Sequence, residues 1–223
     1  MGSVQFKIKD LKKFYNGTKV LDISDLAINK GEIYGVMGPN GSGKTTLLSI
    51  LALLVKPTSG MIFFDGLEMN SRENNGFTLR REMTMVFQNP FLFKTTVEKN
   101  VAYGLRIRCL SKKEQRKRVS ECLDLVGLTG FQKRKANELS SGEIQRVAIA
   151  RAIAVNPKVL FLDEPTANID KMNIDLLEKI VKQLNCIYKA TIIFATHDFN
   201  QACRLADKVI ILSEGKIREI LDP

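Results

Sequence analysis

A chain of 223 residues with 44% apolar and 26% charged side chains has the size and balance of one folded domain with a sizeable core, which excludes a fibrous or disordered protein. Lys and Arg number 34 against 24 Asp and Glu, a net charge of +10 that suits a polyanionic partner: nucleotide, nucleic acid or an acidic membrane surface. The longest apolar stretch, residues 47–55, is interrupted by Ser49 and closed by Lys56, well short of the ~20 residues that span a bilayer.

The first thirty residues alternate apolar and polar, as in Val4-Gln5-Phe6-Lys7-Ile8, with turns at Asn16-Gly17 and Lys30-Gly31, and predict antiparallel strands. Ile33-Tyr34-Gly35-Val36-Met37 reads as a short buried strand. A glycine-rich turn follows, then a helix over Thr46 to Val55. Met61 to Phe64 and Met83 to Phe87 are further strands. From Thr95 to Ala154 the periodicity is helical. Ser111-Lys-Lys-Glu114 has capping-box spacing, and Val119, Cys122, Leu123 and Val126 share one face. The cationic run Arg106, Arg108, Lys112, Lys113, Arg116, Lys117 and Arg118, opposed only by Glu114, reads as a solvated helix face. Asn156-Pro157 ends this region, because proline cannot continue the helix hydrogen bonding.

Buried strands return at Val159 to Leu162, Thr191 to Ala195 and Val209 to Leu212, with an amphipathic helix on Ile174, Leu177, Val181 and Leu184 between the first two. Val-, Ile- and Leu-rich strands alternating with helices predict an α/β fold whose parallel sheet is covered on both faces. Cys109, Cys122, Cys186 and Cys203 form no C-x-x-C pair and no metal-ligand spacing, and are expected to be reduced thiols. No charged-then-apolar leader opens the sequence, so none is expected.

Gly38-Pro-Asn40-Gly41-Ser42-Gly43-Lys44-Thr45 fits G-x-x-x-x-G-K-[ST] in full, after a buried strand and at a helix start. Glycines let successive amides point at phosphate oxygens, and the helix N-terminus adds positive dipole character. Lys44 is expected at the β- and γ-phosphates, and Thr45 at Mg²⁺ through its hydroxyl, with Thr46 beside it. Asp163 and Glu164 stand at the end of the strand Val159 to Leu162, the end where ligands bind in doubly wound sheets. Asp163 suits Mg²⁺, and Glu164 suits polarising an attacking water.

Leu139-Ser140-Ser141-Gly142-Glu143-Ile144-Gln145-Arg146 resembles the signature motif of ABC ATPases, usually LSGGQ. The resemblance covers essentially the whole chain. It makes Gln88 the Q-loop glutamine, a Mg²⁺ contact and one of the catalytic residues with Lys44, Glu164 and His197. Thr166-Ala167-Asn168-Ile169-Asp170 looks like the D-loop, with Asp170 at the dimer contact, and His197 like the switch histidine. Tyr15 sits where the family places an aromatic that stacks on adenine, and Phe14 competes for that role. Ser141 and Glu143 depart from the usual glycine and glutamine. The glutamate brings a negative charge near the partner's γ-phosphate unless it leans into its own neighbourhood.

The fold so implied is a P-loop NTPase (RecA-like) parallel core sheet with an N-terminal antiparallel β subdomain and an inserted α-helical subdomain. The core takes residues 1–88 and 157–223, and residues 89–156 form the helical insertion. The resemblance further implies ATP and Mg²⁺ as cofactors. Two protomers stack head to tail, as a homodimer or with a second ABC subunit, each lending Ser140, Ser141, Gly142 and Glu143 to the other's ATP. Integral membrane permease subunits and an extracytoplasmic substrate-binding protein complete an importer, with this chain cytoplasmic on the inner face of the membrane. The chain ends at Pro223, so no C-terminal regulatory domain of the sugar-importer kind is expected. The stretch from Met85 to Val97, followed by Asn100-Val-Ala-Tyr-Gly-Leu, is similar to importer subunits for tungstate, molybdate or phosphate. The alternatives are an ABC ATPase of a non-transport membrane complex and one acting on nucleic acid. No nucleic-acid partner is expected, since no coiled-coil insertion or second cassette is present.

Overall fold

The computed structural model describes residues 3–69, 76–167 and 171–223. Strands β1 (Val4–Tyr15) and β2 (Thr18–Asn29) pair antiparallel, the chain reversing through Asn16 and Gly17 at φ 48° and 80°. β4 (Ser59–Phe64) pairs with the other edge of β1, and β5 (Leu67–Glu68) with β4, giving a four-stranded sheet in the order β2-β1-β4-β5. Alternation buries Phe6, Ile8 and Leu11 of β1 and leaves Lys7, Lys9 and Lys12 in solvent.

The second sheet has the order β10-β9-β3-β8-β7-β6. β3 (Ile33–Met37), β6 (Met83–Val86), β7 (Val159–Asp163), β8 (Thr191–Thr196) and β9 (Lys208–Ser213) run parallel, and β10 (Lys216–Leu221) closes one edge antiparallel. All five residues of β7 and all six of β8 are buried, as strands covered on both faces must be. Because β8 lies between β3 and β7, their carboxyl ends emerge side by side.

Helix α1 (Lys44–Leu51) starts earlier and ends sooner than the expected Thr46 to Val55. Gly43, at φ 105°, lets the turn pass directly into helix, and Leu53, at φ 59°, leaves it in a left-handed conformation. One face of the parallel sheet, α1 and the antiparallel sheet enclose a core in which the Phe6 ring lies 5.0 Å from Phe64 and 6.1 Å from Phe161. Truncating Phe161, fully buried there, to Ala would cost about 3–5 kcal/mol.

The opposite face carries α3 (Val97–Val101), α4 (Tyr103–Ile107), α5 (Lys112–Leu125), α6 (Ser141–Ala154), α7 (Lys171–Tyr188) and α8 (Phe199–Leu205); the short α2 (Gly76–Arg80) precedes β6. Val119, Leu123, Val147 and Ile149 from the helical region pack in one continuous cluster with Leu160, Leu162 and Phe194 of the sheet. The expected capping box at Ser111 forms, with Glu114 N donating to Ser111 Oγ at 3.3 Å and Ser111 N to Glu114 Oε2 at 2.9 Å.

Candidate active site

The loop after β3 is shaped by glycines that admit no side chain. A Cβ on Gly38 would sit 2.0 Å from the Leu212 carbonyl oxygen, and one on Gly43 2.6 Å from Leu21 Cδ2. The loop wraps Lys44, whose Nζ donates to the carbonyls of Gly38 at 2.7 Å and Pro39 at 3.1 Å and lies 3.8 Å from Glu164 Oε1. Ser42 Oγ is buried in the loop without a hydrogen-bond partner, an orphaned group that a phosphate oxygen would satisfy.

Thr45 Oγ1 donates to Asp163 Oδ1 at 3.0 Å, joining the start of α1 to the end of β7. Burial pushes the Asp163 carboxyl above its ordinary range and the neighbouring Glu164 adds to this, while Thr45 and Lys44 oppose it. Thr45 hydroxyl, Asp163 carboxylate and the Gln88 amide are hard oxygen donors, the set that suits Mg²⁺. Among the described residues no three His, Cys, Asp or Glu side chains gather into a metal cage, so a cation held here would complete its shell with phosphate and water.

Glu164 occupies a left-handed conformation at φ 46°, one that a non-glycine residue holds only under constraint. Its amide donates to Ala195 O at 3.1 Å, pinning the turn to the neighbouring strand. Its carboxylate is 2.8 Å from His197 Nδ1. Asp198 caps α8 through Gln201 N at 3.2 Å, which leaves His197 at the mouth of the site with its side chain 69% exposed.

Asn40, Gly41, Gly43, Lys44, Thr45, Thr46, Gln88, Glu164 and His197 thus line one cleft of about 740 Å³. Gly38 and Ser42 lie buried beneath the loop. Val20 lines the cleft as well, a residue that sequence reasoning missed; on β2 it reads as an ordinary strand valine. Tyr15 does not line the cleft. It is 44% exposed at the end of β1, with Lys13 Nζ 4.6 Å over its ring, and pairs with Thr18, two residues before Val20. Phe14 is similarly exposed. Asp170 lies outside the described residues.

Ser140, Ser141, Gly142 and Glu143 stand apart from this cleft, at the N-terminus of α6. Ser140 Oγ accepts from Glu143 N at 3.3 Å, and Glu143 Oε2 accepts from Ser140 N at 2.8 Å. Glu143 Oε1 lies 3.4 Å from Arg134 Nη1. The Ser140 amide, aided by Arg134, holds the Glu143 carboxyl below its usual range. The glutamate's charge is therefore directed to its own backbone and Arg134, and the two exposed serines stand at the capped N-terminus of α6, where the helix dipole suits an anion. Arg146, on the next turn, donates to Asn173 Oδ1 at 2.6 Å and ties α6 to α7.

A second groove of about 530 Å³ opens just past Gln88, lined by Phe87, Pro90, Phe91, Phe93, Tyr103 and Ile107 among others. Phe91 is 68% and Ile107 60% exposed, unusual for large apolar side chains. Its floor is close-packed: a Cβ on Gly104 would meet Val155 Cγ1 at 2.6 Å.

Comparison with known proteins gives relatives across nearly the whole chain. Residues 21–167 match the ABC transporter family. The chain is 40% identical over 216 residues to the tungstate uptake system ATP-binding protein TupC of Peptoclostridium acidaminophilum, covering 97% of this chain and 98% of that protein. It is 40% identical to the phosphate import ATP-binding protein PstB 2 of Natronomonas pharaonis, over 92% of this chain and 75% of that one. A dimeric ATP-binding cassette solved in a post-hydrolysis state with ADP and Pi superposes with a TM-score of 0.89 at 35% identity, covering 97% of this chain and 98% of the other.

Proposed function

The chain belongs to the ABC transporter family as an ATP-binding, ATP-hydrolysing domain, and from that premise we propose that two copies close on two ATP molecules and power an importer's membrane subunits. The observation that carries this reading is that two features suited to anions stand apart on one chain: the glycine loop with Asp163, Glu164 and His197, and the Ser140 end of α6, away from the chain's own cleft. A second protomer brought head to tail would place its Ser140 and Gly142 against the triphosphate held by the first. The dimeric form of the similar cassette supports this arrangement.

Lys44 would leave its carbonyl partners for the β- and γ-phosphates, and Tyr15 would stack on the adenine across from Val20. Mg²⁺, held by Thr45, Gln88 and Asp163, would neutralise charge developing between the β- and γ-phosphates. Glu164 is placed to polarise the attacking water, and His197, bonded to it, to hold that carboxylate and contact the γ-phosphate. General-base assistance of this kind is worth roughly 10²–10⁴ in rate. Glu164→Gln should therefore bind ATP, lose hydrolysis by about a thousandfold, and elute as an ATP-dependent dimer in size-exclusion chromatography. A variant that remains monomeric with ATP and Mg²⁺ yet hydrolyses at the wild-type rate would overturn the scheme.

The apolar groove beside Gln88 is suited to a short helix of a permease subunit, its exposed Phe91, Tyr103 and Ile107 receiving the helix's apolar face. Among the described residues no helix is long and apolar enough to cross a membrane; the permease contact proposed here would hold the chain at the inner face. The likeness to tungstate and phosphate uptake proteins supports an oxyanion cargo, delivered by a substrate-binding protein and selected outside this chain. Co-purification with a permease that is lost on Phe91→Glu, with basal ATPase retained, would test the docking site.

A further inference from the structure

The helical region is the most basic part of the molecule: residues 89–156 hold fourteen Lys and Arg against six Asp and Glu, eight of the chain's ten net positive charges. Its densest run, from Arg106 to Arg118, divides into two groups. Arg108 and Arg118 are structural. Arg108 Nη1 donates to Val155 O at 2.7 Å, and Arg118 donates to Ala154 O at 3.1 Å and Ile153 O at 3.0 Å, so both close the C-terminal end of α6.

The other five, Arg106, Lys112, Lys113, Arg116 and Lys117, are exposed and enter no ion pair or side-chain hydrogen bond among the described residues. The intervening carboxylate, Glu114, is committed to the capping box at Ser111. The five cations adjoin the groove. Arg106 shares α4 with Tyr103 and Ile107, and Lys112 is five residues past Ile107, no more than about 18 Å even for an extended chain. The link is shorter than that, because Cys109 turns back at φ 59° and Leu110 N donates to Leu105 O at 3.2 Å.

We infer that this surface, the end of α4 and the first two turns of α5, binds the headgroups of anionic phospholipids. The inference rests on the proposal that the neighbouring groove docks a membrane subunit, which would hold the adjoining end of α4 and start of α5 near the inner leaflet. Unpaired cations held at a negatively charged leaflet are attracted strongly within a Debye length of about 8 Å. The interaction would orient the ATPase on the membrane and raise its local concentration at the permease.

The test is co-sedimentation of the full chain with vesicles of phosphatidylcholine alone, and of two parts phosphatidylcholine to one part phosphatidylglycerol. Lys112, Lys113, Arg116 and Lys117→Gln forms the test variant. Lys7, Lys9, Lys179 and Lys182→Gln removes the same charge from surfaces outside the helical region. Wild type and the control variant should bind the anionic vesicles only, and the test variant at least roughly tenfold more weakly. Added salt should release all of them. Equal loss in both variants, equal binding to neutral vesicles, or binding to homopolymer RNA but not to vesicles would each overturn the inference. Co-purification of the same three proteins with the permease reads the groove-docking proposal independently, so its failure is told apart from failure of lipid binding; basal ATPase checks that all three remain folded.

Discussion

At the scale of single residues the cleft is held in tension by its acids. Asp163 is buried beside Glu164, and its carboxyl titrates above the ordinary 3.8. The native state therefore takes up that proton more readily than the unfolded chain. The group's contribution to stability is fully present below pH 3.8 and is lost as pH rises through the native value, so at neutral pH the charge works against the fold. Asp163→Asn should raise the melting temperature of the nucleotide-free protein by about 2–4 °C, for a gain of order 1 kcal/mol, and should abolish the Mg²⁺-dependent part of its stabilisation by ATP. Differential scanning calorimetry with and without Mg·ATP reads both effects; a melting temperature lowered in the absence of nucleotide would contradict the account. Glu143 has the opposite sign. Its depressed carboxyl stabilises the fold above pH 4.5, and that contribution disappears as pH falls through its native value. Glu143→Gln should keep the cap and hydrolyse ATP within about twofold of wild type, while losing less stability than wild type between neutral and acid pH.

Among the elements, α6 is fixed at both ends. A capping box closes its start, and Arg118 and Arg108 occupy the carbonyls at its finish. Such a rigid helix can carry Ser140 as a precise contact on another molecule. Arg118→Ala should cost about 1–2 kcal/mol in denaturant unfolding, through lost carbonyl partners and lost contact with the Tyr188 ring, 5.0 Å away. A change below a few tenths of a kcal/mol would show the arginine to be incidental. Periodicity exposed the strands β3, β7, β8 and β9 and the inward face of α5, because burial on one face or both leaves a repeating trace. It did not expose the roles of Arg108 and Arg118, which sit in a run that reads as solvated charge; only the fold shows that the α6 carbonyls lie in front of them. Likewise α8 and β10 follow from tertiary pairing, and the edge of α1 was set by left-handed residues that no propensity signals. The cleft was more legible than its borders. The loop, the acids and His197 carry chemistry in their residue types, whereas Val20 acquires its place only through the β1–β2 hairpin.

For the whole molecule, strand order does the assembling. Placing β8 between β3 and β7 brings the glycine loop, the Asp163–Glu164 pair and His197 together at the carboxyl ends of three neighbouring strands. The same fold sends Ser140 to a different surface, so the composite site proposed above needs the Ser140 of a second copy. Two inactive variants therefore test the central claim together: Lys44→Ala, which disables the loop, and Ser140→Arg, which blocks the helix. Each alone should hydrolyse ATP at no more than about a hundredth of the wild-type rate. Mixed in equal amounts they should recover about a quarter of it, since half of randomly paired dimers are mixed and each such dimer has one intact site. No recovery on mixing, with Ser140→Arg fully active alone, would show that ATP is hydrolysed within a single chain.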